Sequence, residues 1–315
     1  MGEARFDGKV AIVTGAGVNP GMGRTYARLL AERGAKVVVN DLGVGPDGRG
    51  SVRADPDAVV AEIVNDGGTA IVDHHSVADE ASARAVVQTA LDSWGRVDIL
   101  VNNAGVGIVA GFEEISAADL QTMITVHLFG NIWMCRAAWP HMREAGYGRI
   151  VNITSGGMLG LPGLTLYGAA KAGILGLTRG LAREGQPLGI RVNALSPGGA
   201  TVAAEHSYVI DPDALRAFKE ACPPELVAPA VAYLCHDSCE ISGTLLNASA
   251  GRVWTTVFAD TAGIHDPALT IEGVRDHVGE LLDTEPLTVL GDPRDPMGAR
   301  NPQADLFVPK PYRSA

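Results

Sequence analysis

Lys9-Val10-Ala11-Ile12-Val13-Thr14, followed by Gly15-Ala16-Gly17-Val18-Asn19-Pro20-Gly21-Met22-Gly23, is the stretch whose reading decides the fold. A short apolar run breaks into glycines, and a helical pattern follows over residues 22–33, stopped by Gly34. Strand, glycine-rich turn and helix in that order make a phosphate-binding bend. Glycines let the backbone approach a pyrophosphate, and the helix start offers unpaired N–H groups and the positive end of the helix dipole. A glycine-rich turn alone is weak evidence; one that leaves a strand and opens a helix has the context the motif requires.

Outward from that bend, the next apolar run, residues 36–40, ends in Asp41, eighteen residues beyond Gly23. A carboxylate at the end of the second strand accepts the adenosine ribose hydroxyls and repels a 2′-phosphate, which favours NAD over NADP. Leu42 supplies no basic group for a phosphate. Residues 43–57 are polar and glycine-rich, a surface excursion before a helix over 56–66. Strands are expected at 69–72, 97–101, 149–153, 190–195 and 244–248, and helices at 79–94, 116–144, 167–184, after Pro212 and at 224–235. Ser116 with Asp119 forms a capping box for the long helix, which Gly146 ends. The alternation predicts an α/β fold: a single doubly wound parallel sheet of about seven strands with helices on both faces. One domain is expected over 1–283, and residues 284–315, with six prolines, read as an extended or disordered tail.

Composition narrows the function. The 315 residues carry 39 glycines and are 46% hydrophobic, which suits a sheet buried on both faces with many tight turns. A formal charge of -11 argues against a nucleic-acid partner, since phosphate backbones need a basic surface. Four scattered cysteines, Cys135, Cys222, Cys235 and Cys239, make no disulfide framework and point to a reducing compartment. Cys235-His236-Asp237-Ser238-Cys239 lacks a second ligand pair for zinc, and His74 and His75, adjacent in an extended segment, face opposite ways, so no metal is expected. No basic, apolar leader opens the chain and no apolar run reaches spanning length, so the expectation is a cytoplasmic protein with no membrane contact.

The chemistry centres on Tyr167-Gly168-Ala169-Ala170-Lys171, with Ser155 upstream. Helical residues four apart share a face, with Cβ atoms roughly 5 to 6 Å from each other. A free phenol has a pKa of about 10, so only about one in a thousand is ionised at neutral pH. A unit positive charge about 4 Å away, at an effective dielectric of about 20, contributes roughly 4 kcal/mol before desolvation, enough to bring a phenol near working pH. Tyr167 then exchanges a proton with a substrate oxygen that the Ser155 hydroxyl holds.

With these residues assembled, the chain resembles the short-chain dehydrogenase/reductase family, through the Thr14-Gly15 turn, Asn102-Asn103-Ala104-Gly105, Ser155, Tyr167-x-x-x-Lys171 and Pro197-Gly198. Arg5-Phe6-Asp7-Gly8, Val39-Asn40-Asp41-Leu42-Gly43, Val126-His127-Leu128, Arg136-Ala137-Ala138-Trp139 and Leu234-Cys235-His236-Asp237-Ser238-Cys239 carry a closer likeness. It is to the (3R)-hydroxyacyl-CoA dehydrogenase module of peroxisomal multifunctional β-oxidation enzymes, over about residues 5–283. No hydratase-like or sterol-carrier-like segment follows, so a stand-alone dehydrogenase is expected.

The resemblance implies NAD at Gly15, Gly21, Met22, Gly23, Asp41, Ser76, Val77, Asn103, Ala104 and Gly105, with Tyr167, Lys171 and the Pro197-Gly198 loop at the nicotinamide end. It implies Tyr167 as acid/base, Lys171 on the ribose and phenol, and Ser155 on the substrate oxygen. It also implies a small-molecule substrate and a homo-oligomer, dimer or tetramer, built through the helices at 117–144 and 167–184. The substrate is a (3R)-hydroxyacyl-CoA, or a hydroxysteroid or other bulky secondary alcohol; the alternative of another class is an NAD-binding protein that does not catalyse.

Departures from the family pattern leave points open. Five residues separate Gly15 from Gly21 where three are usual, and Pro20 lacks an N–H, so a bulged loop is expected. The carboxylate often found near the adenine is His75 here. Thirteen residues before Tyr167 falls on Thr154, whereas counting from the strand end at Ile153 selects Ser155. His127 stands where many relatives place an asparagine of a proton relay, and reads either as a relay member or as a core histidine.

Overall fold

The computed structural model describes residues 2–44, 55–202 and 211–290. Strands β1 (Val10–Thr14), β2 (Lys36–Asn40), β3 (Thr69–Asp73), β4 (Ile99–Asn102), β5 (Gly148–Ile153), β6 (Ile190–Gly198), β7 (Leu245–Ser249) and β8 (Arg252–Thr256) form one sheet, in the order β3-β2-β1-β4-β5-β6-β7-β8. Every pair is parallel as far as β7, and β8 folds back antiparallel on it. The strand order reverses between β1 and β4, which opens a crevice at their C-terminal ends, the usual place for a ligand in this architecture.

Helices α1 (Met22–Glu32), α2 (Pro56–Asn65), α3 (Glu80–Trp94), α4 (Ala117–Ile124), α5 (Gly130–Ala145) and α6 (Thr165–Gly185) supply the crossovers. Side chains alternate along each strand, so β1 feeds two cores. Ala11 and Val13 pack with Tyr26 and Leu30 of α1, whereas Val10 and Ile12 pack with Val86 and Val87 of α3 and Met134 and Met142 of α5. All five residues of β1 are buried, which explains its unbroken apolar sequence.

The structure corrects the expected element list in three places. The sheet has an eighth strand, β8, four of whose five residues are exposed. Strand β6 runs on through Pro197 to Gly198, three residues beyond its expected end. β5 pairs with it only as far as Leu195, so Pro197 sits where β6 is bonded to β7 alone and a missing N–H is tolerated. The single long helix is two: a π-helical turn, Thr125–Phe129, separates α4 from α5 and carries His127. Beyond the sheet, Thr288–Val289 pairs antiparallel with Ala259–Asp260, so the expected tail begins in extended structure; residues 291–315, and 45–54 of the excursion after β2, lie outside the described residues. Among the described residues no helix is long and apolar enough to cross a membrane. The four cysteines are free thiols.

Candidate active site

The expected cofactor residues gather at the C-terminal ends of β1, β2 and β4. Thr14, last in β1, accepts hydrogen bonds from the N–H groups of Asn103 (3.0 Å) and Ala104 (3.1 Å) through its hydroxyl. The Asn103 amide donates back to the carbonyls of Thr14 (3.0 Å) and Gly15 (2.9 Å). Asn103 therefore braces the turn with its side chain. Gly15 has φ +64, and a Cβ there would stand 2.7 Å from the Ala104 Cα. A Cβ on Gly23 would stand 2.6 Å from the Asn103 amide nitrogen, so the close approach of helix and strand depends on glycine.

Gly21 caps α1 in an extended conformation with no side-chain hydrogen bond, and the first turn of α1 holds no acidic side chain. The helix start thus keeps its N–H donors and positive end for an anion. Within the lengthened turn the Gly17 carbonyl accepts the Asp55 N–H at 2.8 Å and the Pro20 carbonyl accepts the Val202 N–H at 3.3 Å. Gly17 donates its N–H to Asp41 Oδ2 at 2.9 Å, and Gly43 donates to Oδ1 at 3.0 Å. Asp41 is 7% exposed. Burial raises its pKa, against the N–H groups of Gly43 and Gly17. Each carboxylate oxygen keeps an acceptor site for a hydroxyl.

Ser76 and Val77, also implied for the cofactor, follow the C-terminal end of β3. Val77 is buried in the core beside Gly130, and the Ser76 hydroxyl accepts from the Ala78 N–H at 3.0 Å. His75 pairs through Nδ1 with Asp73 at 2.9 Å. Burial of Asp73 opposes its ionisation, but hydrogen bonds from His75, Thr89 and Asn40 outweigh that and lower its pKa.

Ser155, Tyr167 and Lys171 come together beyond β5. Ser155 begins the 3-10 turn Gly156–Leu159 and accepts the Gly157 N–H at 3.1 Å. A Cβ on Gly157 would lie 3.2 Å from the Tyr167 ring and 3.5 Å from the Ser155 hydroxyl, so that glycine lets ring and hydroxyl share one wall. Lys171, one helical turn on, places Nζ 5.6 Å from the Tyr167 ring centroid and donates to the Ile153 carbonyl at 2.8 Å. Lys171 is 3% exposed, and that burial lowers its pKa to about 7. The charge that favours the phenolate is therefore itself costly to keep. Thr154, the alternative to Ser155, is 1% exposed and donates its hydroxyl to the Lys171 carbonyl at 2.8 Å, whereas Ser155 is partly exposed.

His127 completes the cluster. Its ring meets the Tyr167 ring edge-on, centroids 5.2 Å apart. Burial, and secondarily the Lys171 charge, lowers its pKa to about 3. Pro197 and Gly198 pair with Ala248 and Ser249 on β7, and a Cβ on the next residue, Gly199, would meet the Met22 Sδ at 3.6 Å, so the end of β6 backs onto the start of α1. Two residues went unassigned in the sequence, the Thr14 hydroxyl that ties β1 to β4 and Asn131, which donates to the His127 carbonyl at 2.7 Å, while Thr154 stood there only as the alternative to Ser155. The two threonines share a signal, a hydroxyl at a strand's C-terminal end.

A glycine cradle, an acidic residue at the end of β2 and a Ser-Tyr-Lys set, all at one edge of a doubly wound sheet, define an oxidoreductase that uses a nicotinamide dinucleotide. The short chain dehydrogenase family model matches residues 9–211, and the chain belongs to that family. It is 42% identical over 299 residues to peroxisomal multifunctional enzyme type 2 of Drosophila melanogaster, covering 92% of this chain and 48% of that relative. A putative short-chain type dehydrogenase/reductase of Mycobacterium tuberculosis is 40% identical, covering 90% of this chain and 97% of that one. The crystal structure of a short chain dehydrogenase from Mycobacterium avium superposes with a TM-score of 0.74 at 36% identity, covering 88% of this chain and 95% of that one. The chain spans about half the length of the multifunctional relative.

Proposed function

We propose that the chain is an NAD-dependent dehydrogenase of secondary alcohols whose substrate is a (3R)-hydroxyacyl-CoA. The observation that carries this reading is the Tyr167 ring and the buried Lys171 amine one helical turn apart on α6, with the Ser155 hydroxyl beside the same Gly157 that abuts the ring. The residues present fit NAD: the cradle that a Cβ would fill, the uncapped start of α1 for the diphosphate, and Asp41 for the ribose. The acidic end of β2, followed by an apolar Leu42, supports NAD over NADP. When bound, the nicotinamide supplies the hydride acceptor.

The chain's own residues handle the proton. Ser155 holds the carbinol oxygen and Tyr167, as phenolate, takes its proton as the carbonyl forms; in reduction the phenol returns it. Lys171, when protonated, stabilises the phenolate by charge. The choice of acyl thioester is supported by the apolar side chains that flank Tyr167, among them Ile108, Phe112, Ile115 and Leu166, with Thr165 as a polar neighbour. We also propose a cytoplasmic location and a homo-oligomer assembled through α4, α5 and α6, where Leu120 of α4 and Phe129 of the intervening π-turn are exposed apolar side chains. Fractionation tests the first and sedimentation the second.

Purified protein should form NADH, and little NADPH, with 3-hydroxyacyl-CoA thioesters of the 3R series. Absence of turnover with these thioesters and with hydroxysteroids, together with calorimetric binding of NAD, would replace the reading by a nucleotide-binding protein that does not catalyse.

A further inference from the structure

His127 is held on three sides. Its Nε2 lies 2.8 Å from the Val106 carbonyl oxygen and 3.1 Å from the Val106 nitrogen, so one tautomer donates to that residue and the other accepts from it. The opposite edge faces Gly105: a Cβ there would stand 2.5 Å from Cε1 and 3.0 Å from Nδ1. The third contact is the perpendicular Tyr167 ring at 5.2 Å. The π-helical turn Thr125–Phe129, whose His127 carbonyl accepts from Asn131, sets the ring at this depth. π-turns inside helices recur at functional sites.

A relay histidine needs a partner on each nitrogen so that a proton leaves one as another arrives. Here Nδ1 is buried, has no hydrogen-bond partner among the described residues and faces the Gly105 backbone. We propose that His127 is a positioning residue for Tyr167 that carries no proton: an imidazole wedge between the Gly105-Val106 backbone and the edge of the phenol ring, with Gly105 required because the wedge fills the space of a side chain. The inference rests on the reading of Tyr167 as the acid/base. The low pKa of the buried ring agrees with it, since the imidazole stays neutral wherever the enzyme works.

The test is a double-mutant cycle on the full chain with His127→Ala, Gly105→Ala and both. Gly105→Ala leaves the imidazole and both nitrogens intact but pushes the ring, so a pure relay would not explain its effect. Each single variant should lower kcat by about tenfold or more through misplacement of the phenol, and His127→Ala should keep KM for NAD within about threefold of wild type. The acidic limb of the pH profile should keep its midpoint. The double variant should match His127→Ala within about threefold, because the added methyl then has no ring to displace. A second readout needs no substrate: in 3-fluorotyrosine-labelled protein, the fluorine resonance that Tyr167→Phe removes should shift in both single variants, and the double variant should coincide with His127→Ala. Additive losses, native kcat in Gly105→Ala, or a displaced acidic limb in His127→Ala would overturn the proposal. If wild type itself turns over nothing, the functional reading fails, and an unmoved fluorine signal in Gly105→Ala would still overturn the wedge.

Discussion

Replacing Lys171 with methionine removes a charge that the fold holds at a cost. The ammonium is 3% exposed and donates to the Ile153 carbonyl at 2.8 Å. Burial lowers its pKa from 10.5 to about 7, so between those values the unfolded chain binds the proton that the folded chain has released. Stability therefore rises with pH across that window, by about 1.4 kcal/mol per pH unit. The penalty is complete at pH below 7, on the order of 5 kcal/mol, and vanishes above the unfolded pKa. Methionine escapes it but gives up the hydrogen bond to Ile153, a loss of about 1 kcal/mol that does not vary with pH. Urea denaturation of both proteins from about pH 6 to about pH 10 reads the difference directly. Lys171→Met should be the more stable protein at the acidic end, and its advantage should shrink by several kcal/mol toward the alkaline end, with turnover lost throughout. A difference that stays flat across the series would show that the amine is solvated, and the argument from burial would fail.

Three further substitutions probe the cradle and its neighbours. Asn103→Ala removes both donors that brace the Thr14 and Gly15 carbonyls, and should cost about 2 kcal/mol in urea melts and weaken NAD in calorimetry. Asp41→Asn turns an amide N–H toward the N–H of Gly17 or Gly43, so NAD affinity should fall about tenfold while NADP, no longer repelled, gains relative to it. Thr154→Val keeps the shape but strips the hydroxyl from the Lys171 carbonyl, costing about 1 to 3 kcal/mol and lowering kcat with little change in KM for NAD.

What the sequence disclosed follows how strongly each signal is forced by burial. The runs of β1 and β2 are apolar because both faces of the sheet are covered, and Gly15 is glycine because its φ of +64 and the nearby Ala104 leave no alternative. Those features were legible from composition and order. β8 was not, because a strand exposed along most of its length has no face to bury and leaves no period in its sequence. The π-turn was hidden for the opposite reason: Thr125–Phe129 lies in a continuous helical pattern, and the widened turn is seen only once His127 is in contact with Val106. Spacing alone could not choose between Thr154 and Ser155; burial and the bond to the Lys171 carbonyl separate them. The depressed pKa of Lys171 was likewise invisible, since it depends on desolvation by residues remote in the chain.

A phenol made acidic by its surroundings, at the mouth of a dinucleotide cradle, is the claim on which the functional account stands. Tyr167→Phe removes one oxygen from that arrangement and leaves the cradle untouched. Calorimetric NAD binding should stay within about threefold of wild type while hydride transfer to NAD falls by at least about a hundredfold. Turnover near the wild-type rate in this variant would contradict the account.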